Sequence, residues 1–240
     1  MFKKLVSKLI PGKFIQKIKD DLGVPSQRKS LEALKKLGFS PNYVLDIGAY
    51  EGNWAIEFNQ IFPKSKIMMI EGQQQKQEIL LQKKKLLSDS EVKIALLGAE
   101  NKRVDFNIYD TASSVYKEDN ETGASIEEIE LQLLDDILLT TAFCQPDFIK
   151  IDTQGFELEI LKGGAKTLQS AKAVLLELSF LNIYKGAPLA AEVIAFMEKN
   201  NFVVYDICSL MRRPYDKALF QSDFLFLHKD FYLRASTRWA

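Results

Sequence analysis

The sequence predicts an α/β fold in which helices cover both faces of a mostly parallel sheet. Short apolar segments alternate with segments of helical period along most of the 240 residues. A glycine-containing turn follows the first apolar segment, where a strand would pass into a helix. The last two apolar segments have no helix between them, so the final strand is expected to run antiparallel to its neighbours.

Seven strands and five helices follow from this pattern. A first helix is expected from Ser26, an N-cap residue, to Leu37, with Gly38 as its stop. The strands are Tyr43–Ile47, Lys66–Ile70, Val92–Leu97, Phe148–Ile151, Ala173–Glu177, Phe202–Ile207 and Phe224–Leu227. The helices between them are Asn53–Phe62, Gln74–Leu87, Glu157–Ser170 and Leu189–Asn200. Residues 209–221 are expected to form a loop.

One segment, at about residues 100–135, interrupts the alternation. Residues 103–110 alternate polar and apolar side chains with period two, and 126–138 do so before they turn helical. The polar stretch between them predicts an inserted β-hairpin or meander with a mobile loop. The expected domains are an N-terminal helical extension at 1–40, a main domain at 41–230 that contains the insertion, and a C-terminal tail at 231–240.

The composition excludes some functional classes. With 32 basic and 32 acidic side chains the formal net charge is zero, which argues against a protein that mainly grips nucleic acid. No apolar run reaches the ~18 residues that span a bilayer, and the N-terminus lacks the features of a secretory signal. Cys144 and Cys208 adjoin apolar runs without metal-type spacing, which predicts two buried free thiols and a cytoplasmic protein.

The N-terminal segment has a basic amphipathic pattern. Residues 2–19 hold six lysines and no acid, and their apolar residues recur at helical spacing. Two interpretations stay open. The helix can touch a partner or a membrane surface, which would place the protein at the inner face of the membrane, or it can pack on the domain with its lysines in water. The sequence does not indicate an oligomeric state.

The turn after the first strand, in "VLDIGAYEGNWA", predicts the class of cofactor. A dinucleotide-binding turn would read G-x-G-x-x-G, whereas this turn has only Gly48 and Gly52, and Glu51 inside it would repel a diphosphate. Glu71 ends the second strand, where a carboxylate can accept both hydroxyls of a ribose. Ribose recognition beside a turn that does not suit phosphate predicts S-adenosyl-L-methionine, whose sulfonium is cationic.

The residues expected around this cofactor lie on four strand ends. Adenine is expected beside the end of the third strand, and the amino-acid end beside the first turn. The complete set is Asp46, Gly48, Ala49, Tyr50, Glu51, Gly52, Asn53, Glu71, Gly72, Leu97, Gly98 and Asp152.

Four segments together resemble the FkbM-type S-adenosylmethionine-dependent methyltransferases. They are "VLDIGAYEG", "MIEG", "FIKIDTQGFELEILKGG" and "VLLELS", and the resemblance covers about residues 40–230. The third segment is the most specific, since many methyltransferases share the first. Ser113-Ser114-Val115 and Leu134-Asp135 resemble two shorter family elements. Tyr50 departs from the family's usual asparagine, which bears on the hydrogen bonds at the cofactor's amino-acid end.

The resemblance implies a Rossmann-like class I methyltransferase fold with strand order 3-2-1-4-5-7-6 and an antiparallel strand 7. It also implies methylation of hydroxyl oxygens, often on sugars, glycans or polyketides, and often in the modification of surface polysaccharides. An alcohol must lose its proton as the new bond forms, so a general base is expected.

Three acids are the catalytic candidates. Asp152 follows the fourth strand, next to the first in the sheet order, and should face the transferred methyl group; alternatively it caps the turn. Glu157 lies in the first turn of the following helix, where a carboxylate also suits the helix dipole. Glu177 ends the fifth strand and should line the same cleft. Asp152 and Glu177 offer oxygen ligands for Mg²⁺, but without a tight cluster no metal is expected.

The acceptor pocket is expected between the insertion and the 209–221 loop. Its candidate residues are Ser113, Ser114, Gln154, Arg212, Arg213 and Tyr215. His228, the only histidine, is expected at a surface or sheet edge. Three other functions remain as alternatives: a catalytically silent cofactor-binding or interaction module, a dinucleotide oxidoreductase, which Glu51 disfavours, and a nucleic-acid or protein N-methyltransferase. The neutral charge and the absence of the D/N-P-P-Y/F element that nucleic-acid enzymes often carry disfavour the last.

Overall fold

The computed structural model describes residues 22–109, 113–116, 125–182, 184–236 and 239. The amphipathic helix expected at residues 2–19 lies outside the described residues, as does most of the polar loop of the insertion. Within the described residues, no helix combines the length and the apolar character needed to cross a membrane.

Eleven strands occur in the described residues. They are β1 (Tyr43–Ile47), β2 (Lys66–Glu71), β3 (Ser90–Ile94), β4 (Leu96–Leu97), β5 (Arg103–Ile108), β6 (Ser125–Gln132), β7 (Phe148–Ile151), β8 (Ala173–Ser179), β9 (Phe202–Ile207), β10 (Met211–Arg212) and β11 (Leu219–His228). The helices are α1 (Gln27–Lys36), α2 (Asn53–Ile61), α3 (Gln77–Lys84), α4 (Leu134–Leu138), α5 (Glu157–Gly163), α6 (Ala165–Ser170) and α7 (Ala190–Lys199), with short 3₁₀ turns at Gln74–Lys76 and Tyr232–Arg234.

The central sheet confirms the predicted α/β class and the order of its main strands. The order is β3-β2-β1-β7-β8-β11, with β9 paired to the far side of β11. In this sheet the neighbouring strands β3, β2, β1, β7 and β8 run parallel to one another. β11 is antiparallel to both β8 and β9. This is the order 3-2-1-4-5-7-6 with an antiparallel last strand. The carboxyl ends of β1, β2 and β7 therefore meet at one edge, where such sheets bind ligands.

Two strand predictions near the sheet edges were wrong. The third strand was expected to continue to Leu97, but its pairing with β2 ends at Ile94, and Leu96–Leu97 pair with β6 instead. The expected loop at 209–221 contains β10, which pairs with the first residues of β11. Leu96–Leu97 pair with a strand more than 30 positions away, and β10 pairs with the nearby start of β11; a pattern of apolar residues reveals neither pairing.

The insertion forms the predicted hairpin. β5 and β6 pair antiparallel from Arg103–Glu130 to Ile108–Ser125, and β4 joins them in a second, three-stranded sheet. This small sheet lies beside the carboxyl ends of the main strands, because β4 continues directly from β3 after Ala95.

The helix expected at 157–170 is two helices, divided at Gly164. Asp135 accepts hydrogen bonds from the backbone N–H groups of Lys166 (3.0 Å) and Thr167 (2.8 Å), so it caps the start of α6. The Leu134-Asp135 element is thus a structural cap. Gly163, at the end of α5, approaches Gly98 so closely that a Cβ there would lie 1.9 Å from the Gly98 carbonyl oxygen.

The core lies on both faces of the main sheet, with Trp54, Phe58 and Phe148 in ring contact on one of them. Of the two cysteines expected to be buried, Cys208 is buried but Cys144 is exposed. The neighbouring Phe143 occupies the core position, so the side chain of Cys144 points outward.

Candidate active site

A cavity of about 200 Å³ opens at the carboxyl ends of β1, β2 and β7. Its walls come from the turns after these strands, from β4 and from the hairpin. The lining residues include Gly48, Tyr50, Glu71, Gly72, Gln73, Leu96, Leu97, Phe106, Ser113, Ser114, Val115, Asp152, Gln154 and Ile160.

The first half of the glycine turn lines this cavity. Gly48 has φ +71°, and a Cβ there would lie 1.9 Å from the carbonyl oxygen of Asp152, so only glycine fits. Tyr50 also has a positive φ of 49°, a conformation that asparagine adopts more readily than tyrosine. This preference is a physical reason for asparagine at this position. Tyr50 adopts the same left-handed conformation, so the turn keeps its shape with tyrosine in place of asparagine.

Glu71 lies at the cavity wall, where the sequence predicts it. Its Oε2 accepts a hydrogen bond from the Tyr50 N–H (2.8 Å), and its Oε1 accepts one from the Gln73 N–H (2.9 Å). Burial raises the pKa of this carboxyl, and the two N–H donors partly oppose that rise. Each carboxylate oxygen keeps a further lone pair for a ligand.

The structure places Asp46 beneath the turn instead of at the cavity. Asp46 is fully buried, and its Oδ1 lies 3.1 Å from the Lys150 Nζ. The same ammonium donates a hydrogen bond to the Gly48 carbonyl (3.1 Å). The direct cofactor contact expected of Asp46 is therefore replaced by support of the turn through Lys150.

Burial and charge act in opposite directions on this pair. Burial lowers the pKa of Lys150, but the Asp46 and Asp152 carboxylates outweigh it, so the net direction is upward. Burial raises the pKa of Asp46, which Lys150 opposes. No sequence pattern above singles out Lys150 as a site residue. The sequence does contain one indication of its role: Lys150 lies inside the apolar strand "FIKI". A parallel sheet covered on both faces buries such a strand, and a buried lysine needs a charged partner.

Four other residues of the glycine turn do not line the cavity, although they are expected to contact the cofactor. They are Ala49, Glu51, Gly52 and Asn53. Glu51 pairs with the Lys76 Nζ (3.3 Å), and Asn53 accepts a hydrogen bond from Lys83 (2.8 Å). These contacts arise because the start of α2 lies beside α3, which carries Lys83, and beside the 3₁₀ turn before α3, which carries Lys76. Lys76 also lies over the Tyr50 ring, 3.7 Å from its centroid.

The apolar end of the cavity is where adenine is expected. Leu97 lines it as expected, and so do Leu96 and Phe106, which the sequence patterns do not single out. Gly98 does not line it, because its backbone packs against Gly163 at the end of α5. Gly72 lines the cavity, and a Cβ there would lie 2.8 Å from a Leu96 methyl group.

Asp152 stands at the opposite wall, at the end of β7. Its side chain is 36% exposed, and its Oδ2 lies 3.8 Å from the Lys150 Nζ. Its Oδ1 accepts a hydrogen bond from the Gln154 Nε2 (3.1 Å). The carboxylate is thus held by neighbours on one side and open to the cavity on the other.

Glu157 is engaged in the turn between β7 and α5. Its Oε1 accepts hydrogen bonds from the Thr153 N–H (2.8 Å) and hydroxyl (3.2 Å), and from the Gly155 N–H (3.2 Å). Burial raises the pKa of this carboxyl to about 7, with the Thr153 N–H opposing the rise. Glu157 does not line the cavity, so the geometry assigns it to capping this turn.

Glu177 lies behind Asp152 instead of at the cavity wall. Its Oε2 accepts hydrogen bonds from the side-chain amides of Gln154 (3.0 Å) and Gln221 (3.0 Å). Burial raises the pKa of this carboxyl to about 9, and the neighbouring Asp152 and Asp223 carboxylates add to the rise.

The expected acceptor residues divide into two groups. Ser113 and Ser114 line the cavity, and the Ser114 hydroxyl donates to the Gln154 carbonyl (2.9 Å), so this segment covers the cavity. Arg212, Arg213 and Tyr215 do not line it. Arg213 makes a double ion pair with Asp216, and Tyr215 is 91% exposed, because the turn after β10 projects into solvent.

The only histidine, His228, lies at the other end of β11, with its ring edge against Phe202. Within the part of the chain that the structure describes, no group of three or more histidine, cysteine or acidic side chains is placed to hold a metal ion.

Comparison with known proteins agrees with the fold. The sequence matches the Methyltransferase FkbM domain over residues 46–204. A methyltransferase FkbM from Methylobacillus flagellatus KT is similar in structure, with TM-score 0.51 and 18% identity over 77% of this chain and 43% of that chain. This chain thus spans less than half the length of that protein. A comparison with curated proteins gave no match.

Two further solved structures are similar. The magnesium protoporphyrin IX methyltransferase of Synechocystis, with bound SAM, has TM-score 0.50 and 10% identity over 84% of this chain and 77% of that chain. The TrmK protein of M. capricolum, in complex with S-adenosyl-homocysteine, has TM-score 0.50 and 11% identity over 85% of this chain and 69% of that chain. At these identities the likeness shows the fold alone.

Proposed function

Because the chain belongs to the FkbM family of methyltransferases, we propose that it methylates a hydroxyl oxygen on a sugar, a glycan or another small natural product. S-adenosyl-L-methionine is the cofactor of the reaction. The same proposal includes three predictions from the sequence about the protein: a cytoplasmic location, a role in polysaccharide modification and a membrane contact of residues 2–19.

The observation that carries the proposal is the Asp152 carboxylate at the cavity wall. It is open to the cavity, accepts a hydrogen bond from Gln154 and lies 3.8 Å from the Lys150 ammonium. An alcohol is a weak nucleophile until a base takes its proton, and a carboxylate within hydrogen-bond reach serves as that base. Asp152 also follows directly on the strand beside the glycine turn, so base and cofactor share one edge of the sheet.

The cavity suits the nucleoside part of the cofactor. Glu71 presents two oxygens, each fixed by one backbone N–H and each with a lone pair for a ribose hydroxyl. Leu96, Leu97 and Phe106 form an apolar wall beside it, which suits a flat base. We assign Glu71 to the ribose and this wall to the adenine.

When bound, the cofactor supplies an activated methyl group on a positively charged sulfur. The protein must then align a hydroxyl oxygen opposite the sulfur, accept the hydroxyl proton and exclude water. Asp152 suits the first two tasks, because a carboxylate that accepts the hydrogen bond also orients the oxygen. The segment from Ser113 to Val115 suits the third, because it lines the cavity and is tied to Gln154.

The charge beside the cavity bears on the class of acceptor. The Asp152 carboxylate lines the cavity, and the Lys150 ammonium nearby is already paired with Asp46. An acceptor with phosphate or carboxylate at its reacting end would meet like charge. A neutral hydroxyl with neutral neighbours fits better, and the solvent-facing pair Arg212 and Arg213 does not enter the proposal.

A first experiment tests the cofactor. Isothermal titration calorimetry of the purified protein should give binding of S-adenosylhomocysteine and no comparable binding of NAD, because the turn lacks the dinucleotide pattern and carries Glu51. Tight NAD binding without S-adenosylhomocysteine binding would overturn the proposed function.

A second experiment tests the acceptor atom. The protein is incubated with methyl-labelled S-adenosyl-L-methionine and a panel of neutral sugars, glycans and hydroxylated natural products, each paired with its deoxy or amino analogue. Label should enter a hydroxylated member and not its deoxy partner. Label that enters only amino analogues would show N-methylation and contradict the proposal, and label that enters nothing while S-adenosylhomocysteine binds would favour a catalytically silent module.

A further inference from the structure

The side-chain amide of Gln154 connects two carboxyl groups from neighbouring strands. Its Nε2 donates one hydrogen bond to the Asp152 Oδ1 (3.1 Å) and one to the Glu177 Oε2 (3.0 Å). An amide nitrogen has two hydrogens, so each carboxyl receives one. Gln154 therefore holds side by side the acid that follows β7 and an acid near the end of β8.

The orientation of this amide is set by Tyr184. The Tyr184 hydroxyl donates a hydrogen bond of 2.7 Å to the Gln154 Oε1. With its oxygen held there, the amide keeps its nitrogen toward the carboxyl groups. The reverse orientation would direct an acceptor oxygen at two acceptors, which is unfavourable in a buried place. Tyr184 is 4% exposed, so this contact is shielded from water.

The segments around Gln154 are packed tightly enough to keep this geometry. Gly155 has φ +95°, and a Cβ there would lie 2.9 Å from the Ala187 Cβ and 3.4 Å from the Tyr184 ring. On the other side, the Ser114 hydroxyl donates to the Gln154 carbonyl (2.9 Å). Gln154 is therefore fixed between the covering segment of the hairpin and the loop before α7.

The two carboxyl groups differ in burial and in access to the cavity. Burial raises the pKa of Glu177 to about 9, followed by the effect of the Asp152, Asp223 and Glu157 carboxylates. The Lys150 ammonium also lies within electrostatic range of Glu177, and Gln221 donates to its Oε2. Asp152 is the member of the pair that is open to the cavity.

We propose that Tyr184 is a positioning residue for proton removal, which acts through Gln154 to hold the Asp152 and Glu177 carboxyl groups as a hydrogen-bonded pair, with Asp152 toward the cavity. This inference rests on the proposed methyl transfer. The acceptor hydroxyl gives its proton to Asp152 while its oxygen bonds to the methyl carbon. The bond from that carbon to sulfur breaks and leaves its electron pair on sulfur, and the proton then passes to water.

The test is the titration of the pair itself, which needs no acceptor. Carboxyl-labelled protein is followed by carbon-13 NMR between pH 4 and pH 11 in the wild type, Tyr184→Phe and Tyr205→Phe. In Tyr184→Phe the amide loses its anchor, so the carboxylates lose N–H donors that favour the ionised form, and the apparent pKa values of the pair should rise. Tyr205→Phe, on the outer strand β9, should titrate like the wild type.

A second variant keeps the test decisive if Tyr184→Phe unfolds. Gln154→Met removes both donors and should shift the same titrations upward by more than Tyr184→Phe does. A folded variant with lowered stability but an unchanged titration would overturn the positioning role. Wild-type protein that fails to bind S-adenosylhomocysteine would instead overturn the methyl transfer on which the inference rests, so the two failures are distinguishable.

Discussion

The Nζ of Lys150 lies 3.1 Å from the Oδ1 of Asp46, and the side chains are only 7% and 0% exposed. Neither charge can be hydrated, so each depends on the other. The pair also connects β1 to β7 and holds the carbonyl of Gly48 (3.1 Å), the residue at which the cofactor turn begins. The shape of the turn is therefore tied to a buried ion pair.

Replacing Lys150 by methionine should destabilise the fold strongly. The change leaves Asp46 as a buried carboxylate without its partner, a situation that typically costs about 3–5 kcal/mol of unfolding free energy. Urea denaturation followed by circular dichroism measures the loss.

The matched control is Lys66→Met. Lys66 also forms an ion pair, with Asp89 at 2.9 Å, but both side chains are about half exposed. Such a solvent-screened pair contributes little to stability. Equal effects of the two substitutions would show that the Asp46–Lys150 pair is not a structural requirement.

Gly163→Ala should also destabilise the fold, for a steric reason. The added Cβ would lie 1.9 Å from the Gly98 carbonyl oxygen, and that contact can be relieved only by moving α5 away from β4. We expect a loss of about 3 kcal/mol or more, the range of severe overpacking. Gly23→Ala is the comparison, since nothing lies within 4 Å of its Cβ position and only backbone strain is added. A loss no larger than that of Gly23→Ala would contradict the close approach.

The main sheet could be predicted from the sequence because its strands are buried on both faces and read as apolar runs between helices. The carboxyl ends of β1, β2 and β7 meet at one edge of this sheet. The strand order alone therefore predicts that Glu71 and Asp152 line the same cavity. The break between Ile94 and Leu96 could not be predicted, because it depends on which distant strand Leu96–Leu97 pair with.

The parts of the site that the sequence does not reveal are the ones made by distant segments. Tyr184 reaches Gln154 from a loop 30 positions further along the chain. Asp46 was expected at the cofactor, but the buried Lys150 draws it beneath the turn. Both cases involve polar groups satisfied by partners on other elements, which no local spacing encodes.

Glu157 should make stability decline as pH rises. Its pKa is raised by burial from 4.5 to about 7, so between these values the folded protein binds more protons than the unfolded chain. Its contribution to stability is full below about pH 4.5 and is lost as pH rises through about 7. In Glu157→Gln this loss is absent, so the difference in unfolding free energy, variant minus wild type, should increase from pH 4.5 to pH 7 and then level off.

Glu159→Gln is the control for this prediction. Glu159 lies in the same first turn of α5, but it is partly exposed and pairs with Lys162. Its substitution removes one negative charge from the same turn and so controls for that loss. A Glu157→Gln curve that is parallel to that of the wild type would show that Glu157 titrates normally in the folded protein.

Glu71→Gln should weaken binding of S-adenosylhomocysteine. The substitution replaces one acceptor oxygen by a donor and removes the charge, so at least one charge-assisted hydrogen bond to the ribose is lost. Such a bond contributes about 1.5–3 kcal/mol, which corresponds to a dissociation constant roughly 10- to 100-fold higher. Calorimetry on samples checked for folding by circular dichroism measures the change.

Glu91→Gln, an exposed substitution on β3, should bind S-adenosylhomocysteine as the wild type does. If Glu71→Gln also binds with unchanged affinity, the ribose lies elsewhere and the assignment of Glu71 is wrong.

Asp152→Asn should separate chemistry from cofactor binding. The asparagine oxygen can still accept the hydrogen bond from Gln154, so the wall keeps its shape and S-adenosylhomocysteine should bind within a few-fold of the wild type. Asparagine cannot take a proton, so methyl transfer to the acceptor found in the panel should fall by about 10²–10⁴-fold. Asp230→Asn, a substitution at a solvent-exposed carboxylate, controls for the loss of one negative charge. Retained methyl transfer in Asp152→Asn would exclude Asp152 as the base.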